Sequence, residues 1–440
     1  MNHRTLLKEF IQYVSLNVCG MIGLSCYILA DTFFVANGLG ADGLTALNLA
    51  IPIYSFVHGC GLMLGMGGAT KYSIFKGQEK DKEADQTFTN ALCLALIFAV
   101  VFILVGILFS SKIALLLGAD GKVFDMTKTY LKVILLFSPA FMLNDVFICF
   151  VRNDGKPKLA MTAMLTGSLS NILLDYLFIF PLQMGILGAV LATGFAPIIS
   201  MCILSSHRIR KQHHFHLLRF KLSFDLTARI ISLGIPSLVT EVASGTVIIV
   251  FNTIILRLQG NVGVAAYGVI ANLSLVVTAI YTGIAQGMQP LASHAYGNKD
   301  KSSINKILKY ALVSMLFLSV CIYLGFLSAA EPIASIFNSE GNAQLQQIAV
   351  YGLKLYFAAI PFAGFNIILS TYFTATEKAL PGQIISLLRG FVIILPMAFL
   401  LSFFFGMTGI WLSYPVTEGI VAVIGVLLLL KYSHKLSAYQ

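Results

Sequence analysis

The sequence predicts an all-α membrane protein of twelve transmembrane helices arranged as two pseudo-symmetric six-helix lobes, and three observations carry that reading. Of its 440 residues, 58% are hydrophobic and 11% charged, against about 25% charged in soluble proteins. Apolar runs of about 20 residues, the length that crosses about 30 Å of hydrocarbon as a helix, recur down the whole chain. Finally, sliding the chain on itself by about 220 positions superposes its glycines and prolines in order.

The runs lie at 12–35, 44–70, 88–110, 126–150, 159–180, 186–206, 228–258, 262–292, 306–330, 345–373, 382–404 and 408–431. They are too long and too uniformly apolar for the alternating strands of a barrel. The basic start, Met1 to Phe10, runs into span 1 without a small-residue cleavage pattern, so span 1 is read as retained. The seven cysteines lie in or beside apolar runs with no C-x-x-C pair, which predicts small buried hydrophobes rather than disulfides or zinc ligands.

Loop charge orients the spans. Connections 36–43, 181–185, 259–261, 331–344 and 405–407 hold no Lys or Arg, and only Lys112 and Lys122 depart from this on that side. The other side carries Lys71, Lys76, Lys80 and Lys82, then Arg152, Lys156 and Lys158, then the cluster from Arg208 to Lys221, then Lys299, Lys301 and Lys378. The positive-inside rule makes that side and both termini cytoplasmic, in a multi-pass plasma-membrane protein. It also accounts for the net charge of +10 without nucleic acid.

A shift of 220 aligns Gly40 with Gly260, Gly43 with Gly263, Gly67 with Gly287 and Gly77 with Gly297. A shift of 222 aligns Pro139 with Pro361 and Asn144 with Asn366, and one of 221 aligns Gly185 with Gly406. Six spans per half is an even number, so the halves form a parallel repeat about an axis along the membrane normal. The expected domains are a first lobe at 1–206, a cytoplasmic linker at 207–227 and a second lobe at 228–440. Histidines 213, 214 and 216 are read as part of a solvated linker, not a metal site.

Ionisable groups inside lipid are costly and point to function. Of nineteen acids, only Asp31, Asp145, Asp175, Glu241 and Glu418 fall within spans. Asp31 and Asp175 lie about five residues, roughly 7 Å, before the outer ends of spans 1 and 5, and Thr193 lies at a similar depth in span 6. Asn171 shares a helix face with Asp175 four positions on. Asp31, Asn171, Asp175 and Thr193 together offer oxygen ligands for a hard monovalent cation, or a proton acceptor. Asp145 is expected to pair locally with Arg152. Glu241, mid-span in helix 7, is read as a proton carrier or substrate counter-ion in the second lobe. Glu418 has no assigned role, Lys354 and Arg389 are read as neutralising acids or reaching a wet cleft, and His58 as a core histidine. The chain has no phosphate-binding G-x-x-x-x-G-K-[ST] loop, no H-E-x-x-H and no nucleophile elbow. No cofactor and no enzymatic activity are expected, which leaves secondary transport.

The stretches ADTFFVANGLGADGLTALNLAIPI (30–53), VRNDGKPKLAMTAMLTGSLSNILLDYLF (151–178), MGILGAVLAT (184–193), GIPSLVTE (234–241) and GIAQGMQPLASHAYGNK (283–299) resemble, in order and spacing, the multidrug and toxic compound extrusion (MATE) family. The resemblance implies a twelve-helix antiporter that expels organic cations in exchange for inward Na⁺ or H⁺. It also implies a first-lobe cation site at Asp31, Asn171, Asp175 and Thr193. Glu241 resembles the span-7 glutamate of another branch, whose span-10 acid is missing from 368–376. His294 departs from the commoner aromatic in its loop. The expectation is therefore a monomeric, cation-coupled exporter of small cationic molecules that works by alternating access. The alternatives are a lipid-linked precursor flippase, which would want cations lining the cleft, and a channel.

Overall fold

Three glycines turn the apolar runs into spans. In the computed structural model, which describes residues 3–209, 213–218, 223–338 and 341–437, the helices His3–Gly77, Phe224–Gly297 and Ile394–Ser437 are far longer than a bilayer is thick. Each is broken once, at Gly40 (φ 67°, ψ −159°), Gly260 (φ 62°, ψ −155°) and Gly406 (φ 56°, ψ −130°) respectively. Side chains with a Cβ avoid that backbone region, so glycine lets a span turn back within a single residue. The short loops expected at 36–43, 259–261 and 405–407 thus shrink to these breaks, and spans 1, 2, 7 and 8 run longer than the hydropathy limits.

Span 3 is Asp81–Leu116, span 5 Pro157–Ile179, span 6 Gly185–Ile209 and span 9 Lys301–Phe337. Span 4 is broken into Gly121–Leu136 and Ser138–Asn153, with a 48° bend at Phe137, just before Pro139, which removes a backbone donor from the first turn of the second piece. Span 10 joins Ala343–Tyr356 to Ile360–Ala375, and span 11 begins at Ala379 and passes through a π-turn at Leu388–Val392. Twelve spans result, and no strand occurs among the described residues.

The duplication is written into the backbone. Beyond Gly40 and Gly260, Glu79 and Lys299, also 220 apart, share φ values of 60° and 59°. Two apolar cores follow, one centred on Leu64, Leu131 and Phe150, the other on Ile284, Phe373 and Trp411. They trade their edges: Leu6 and Phe10 at the start of span 1 pack into the second core, while Leu226 and Ile230 at the start of span 7 pack into the first. Spans 1 and 7 therefore cross between lobes at the basic face. Cysteine burial is mixed: Cys60 and Cys149 are buried as expected, whereas Cys19, Cys26, Cys202 and Cys321 are exposed.

The basic face is sealed by backbone-to-backbone packing. A Cβ on Gly234 would stand 1.9 Å from the Met63 carbonyl oxygen, and one on Gly67 equally close to that of Ile230. Gly283 and Gly287 of span 8 lie against the backbones of Val18 and Val14. Polar pairs finish the seal. Lys71 donates to Glu377, Gln289 Nε2 donates to Thr70 Oγ1 (3.1 Å) and Asn153 Oδ1 (3.1 Å), and Arg152 Nη1 donates to Asn17 Oδ1 (2.8 Å) and Gln286 Oε1 (2.7 Å).

The described part of the linker, 213–218, docks on the first lobe. Phe215 is buried among Tyr72, Phe88 and Phe150. His214 and His216 each bond a carboxylate by ring and backbone nitrogens, Asp154 and Asp85 respectively.

Candidate functional site

Span 1 carries Asp31 nine residues before the Gly40 break, about 14 Å along the helix, twice the depth read from hydropathy. Gly38 brings the end of span 1 against Ile179 at the end of span 5, which sets Asp31 opposite Asp175. The two carboxyl groups come within hydrogen-bonding reach of each other. With its amide oriented so that both neighbours are satisfied, Asn171, one turn before Asp175, donates to its Oδ2 (3.0 Å) and accepts from the Thr193 backbone N–H (3.2 Å), so all four residues meet. All are buried, and one oxygen of each aspartate has no hydrogen-bond partner. Two carboxylates this close in an apolar interior cannot both stay bare, because each raises the cost of ionising the other. A shared proton or a small cation between them resolves the conflict.

Tyrosines missed in the sequence complete this site. Tyr27 lies one turn before Asp31, a signal that the i, i+4 rule could have supplied. Its hydroxyl shares a 3.0 Å hydrogen bond with that of Tyr54. Tyr130 bonds the Thr193 side chain. A first-lobe cavity of about 100 Å³ ends against Tyr27, Tyr54 and Thr193. Asp31 and Asp175 are not among the residues that line this cavity, whereas Thr193 is.

Asp145 does not pair with Arg152. It makes a 2.9 Å ion-pair contact with His58 Nδ1 of span 2, and Arg152 turns to Asn17 and Gln286 instead. Glu241 stands in the cleft rather than inside the second lobe: its Cβ lies against Gly59, and it lines the first cavity together with His58 and Asp145. Two further cavities, of about 60 and 150 Å³, continue from Glu241 to Arg389 and on to Tyr414 and Glu418. Adjacent cavities share wall residues, Glu241 between the first two and Arg389 between the last two, in mostly apolar surroundings.

In the second lobe, Arg389 Nε (3.1 Å) and Nη2 (2.8 Å) both donate to Glu418 Oε1, while Asn366 Nδ2 donates to Oε2 (2.7 Å). Lys354 is exposed. The glycine register places Phe251 where the first lobe has Asp31, and Arg389 and Glu418 where it has Ser168 and Pro197, two residues that line the first cavity. The repeat copied the frame and not the charges.

The MatE family profile matches residues 18–177 and again 236–414, one copy in each half. The chain belongs to the MatE family. The resemblance read from the sequence therefore holds. Among relatives, the chain is similar to the multidrug export protein MepA of Staphylococcus saprophyticus, 26% identical over 408 residues that cover 91% of this chain and 88% of that one. It is 25% identical to the MepA of Staphylococcus haemolyticus over 436 residues, covering 98% and 95%. Among solved structures, it superposes on a MATE in complex with MaL6 with a TM-score of 0.92, at 22% identity and with 98% and 97% of the chains covered. It superposes as well, TM-score 0.92 at 21% identity, on the outward-facing conformation of a multidrug resistance MATE family transporter, covering 98% and 96%. These likenesses cover the whole twelve-span, two-lobe frame.

Proposed function

We propose that the protein exports small organic cations across the plasma membrane in exchange for Na⁺ or H⁺ moving inward. Kinship with multidrug export proteins supports this reading, and so does the contrast between the lobes. The observation that carries it is the facing pair Asp31 and Asp175, two buried acids with the Asn171 amide and the Thr193 backbone N–H in attendance and no base among the four. Asp31, Asn171, Asp175 and Thr193 bind the coupling ion. The second lobe's acid, Glu418, already holds Arg389 and is left out of ion exchange. The working unit is one chain, comprising a first lobe at 1–206, a linker at 207–227 and a second lobe at 228–440, with the basic face and both termini cytoplasmic.

The sealed basic face makes this the state closed to the cytoplasm. Ion entry from outside neutralises the aspartates and favours release of the substrate. The lobes then rock to open the cleft inward. Coupling requires the ion to bind one state more tightly than the other.

The test is efflux of a fluorescent organic cation from proteoliposomes under a sodium or a pH gradient, imposed separately. One gradient should drive efflux, and Asp31→Asn or Asp175→Asn should abolish it at unchanged protein yield. Full efflux by both variants would overturn the assignment.

A further inference from the structure

His58, Asp145 and Glu241 meet at the middle of the membrane. His58 stands 18 residues from the Gly40 break and 19 from the end of its helix at Gly77, and Glu241 stands 17 and 19 residues from Phe224 and Gly260. His58 comes from span 2, Asp145 from span 4 and Glu241 from span 7, so the cluster bridges the two lobes at the depth where transporters hold their cargo. His58 Nδ1 contacts Asp145 Oδ2 at 2.9 Å, and Glu241 lines the same cavity from the opposite lobe, with its Cβ against Gly59. The ring stacks on Tyr54 at 5.9 Å with 4° between planes, and Phe141 meets Tyr54 edge-on. Together they form an acidic cage with an aromatic floor, opening on the first cavity.

The other charged or titratable groups around this cage are accounted for. Arg152 lies two turns from Asp145 toward the basic face, where its Nη1 bonds Asn17 and Gln286. Cys149 packs beside Arg152 at 3.6 Å. Tyr27 bonds Tyr54, and Tyr130 bonds Thr193. Asp31 and Asp175 do not line this cavity. The charge between Asp145 and Glu241 is thus left to His58.

We infer that His58, Asp145 and Glu241 form a proton-for-substrate exchange site, in which the imidazolium and the charge of an organic cation take turns between the two carboxylates. Two bare carboxylates lining one cavity at mid-membrane are costly, and two cations held there together would repel. One positive charge at a time is the stable filling. A cation arriving from the cytoplasm takes that place, and the His58 proton leaves to cavity water on the same side. After the lobes rock, a proton from outside returns to the imidazole and the cation departs outward. One proton enters for each substrate charge that leaves, and the charge of the cleft stays constant. A lipophilic cation suits the site, since ring faces attract cations. The direction of movement rests on the exporter reading above; the exchange itself does not.

The decisive measurement needs no variant. Ethidium is added to the purified full-length protein in weak buffer with a pH indicator, at a pH where His58 is protonated, and about one proton should appear per ethidium bound. Binding with no proton release would overturn the proposal. The ethidium Kd of the wild type should also weaken by up to about tenfold per pH unit as pH falls through the range in which His58 is protonated. His58→Asn should bind with that slope removed, and Glu241→Gln should lose at least about tenfold in affinity. The double variant Asp31→Asn, Asp175→Asn should release the proton as the wild type does. If it releases none while His58→Asn still does, the exchange belongs to the first-lobe pair and the inference fails. Loss of ion-driven efflux in the aspartate variants with proton release intact would instead support both readings separately.

Discussion

Gly77 and Gly297, symmetry mates 220 positions apart, lie against each other where spans 2 and 8 cross, and a Cβ on Gly77 would stand 3.1 Å from the Gly297 Cα. The pseudo-twofold axis passes here, and the lobes touch through bare backbone. A Cβ on Gly297 would stand 2.2 Å from the Ile74 carbonyl oxygen, too close for backbone to yield cheaply. Gly297→Ala should cost about 1–3 kcal/mol of stability and bias the protein toward the state open to the cytoplasm. Gly268→Ala, in the same span with nothing within 4 Å of its Cβ, should be neutral. Thermal unfolding of both variants in one detergent checks this, and equal melting temperatures would remove the packing argument.

Lys71 and Arg229 both reach Glu377, the first from span 2 and the second from span 7. The Lys71 side chain is 7% exposed and that of Arg229 53%, so the buried Lys71 contact should dominate, because solvent screens exposed pairs. Glu377→Gln should loosen the closed face by about 1–2 kcal/mol, roughly a five- to thirty-fold gain in the inward-open population. Thiol labelling of a single cysteine placed at Ser237, in a background without native cysteines, reads this as a faster rate from the cytoplasmic side. Arg229→Gln should change that rate far less.

Asp154, at the basic-face end of span 4, anchors the linker through His207 and His214. Burial acts to raise its pKa, but hydrogen bonds from His207 and Tyr72, with that from the His214 backbone N–H, outweigh it and hold the carboxyl below its ordinary value. A depressed acid stabilises the fold above its unfolded pKa, about 3.9, and loses that contribution as pH falls through the folded value. Linker docking should therefore hold at neutral pH and fail progressively in acid below about pH 4. Asp154→Asn should release the linker already at pH 7, seen as faster proteolytic cleavage between 207 and 223 with the spans intact.

The Arg389–Glu418 pair makes a different claim. Glu418→Gln leaves Arg389 buried without its carboxylate and should destabilise by about 3–5 kcal/mol, whereas replacing both residues with apolar ones of similar volume should cost much less. Chemical unfolding of the single and double variants gives the comparison. If the pair is a fixed internal counter-ion, the double variant should retain the sodium or proton dependence of efflux. A lost gradient response would place Glu418 in the coupling path.

The sequence by itself determined the number of spans, the duplication, the glycines that turn spans 1, 7 and 11 back on themselves, and the short roster of buried acids. These follow from local rules: lipid demands long apolar helices, proline and glycine punctuate them, and Asn171 must sit one turn from Asp175. Only the tertiary structure decided who meets whom. Asp145 and Arg152, seven apart, are about 10 Å distant along one helix, while His58, 87 positions earlier in the chain, touches Asp145 because spans 2 and 4 pack face to face. The same holds for Arg389 with Glu418, for Lys71 with Glu377 and for Glu241's place in the cleft. Helical periodicity fixes the face on which a charge stands. Which helix that face meets is set by packing over the whole membrane domain, and no local spacing encodes it.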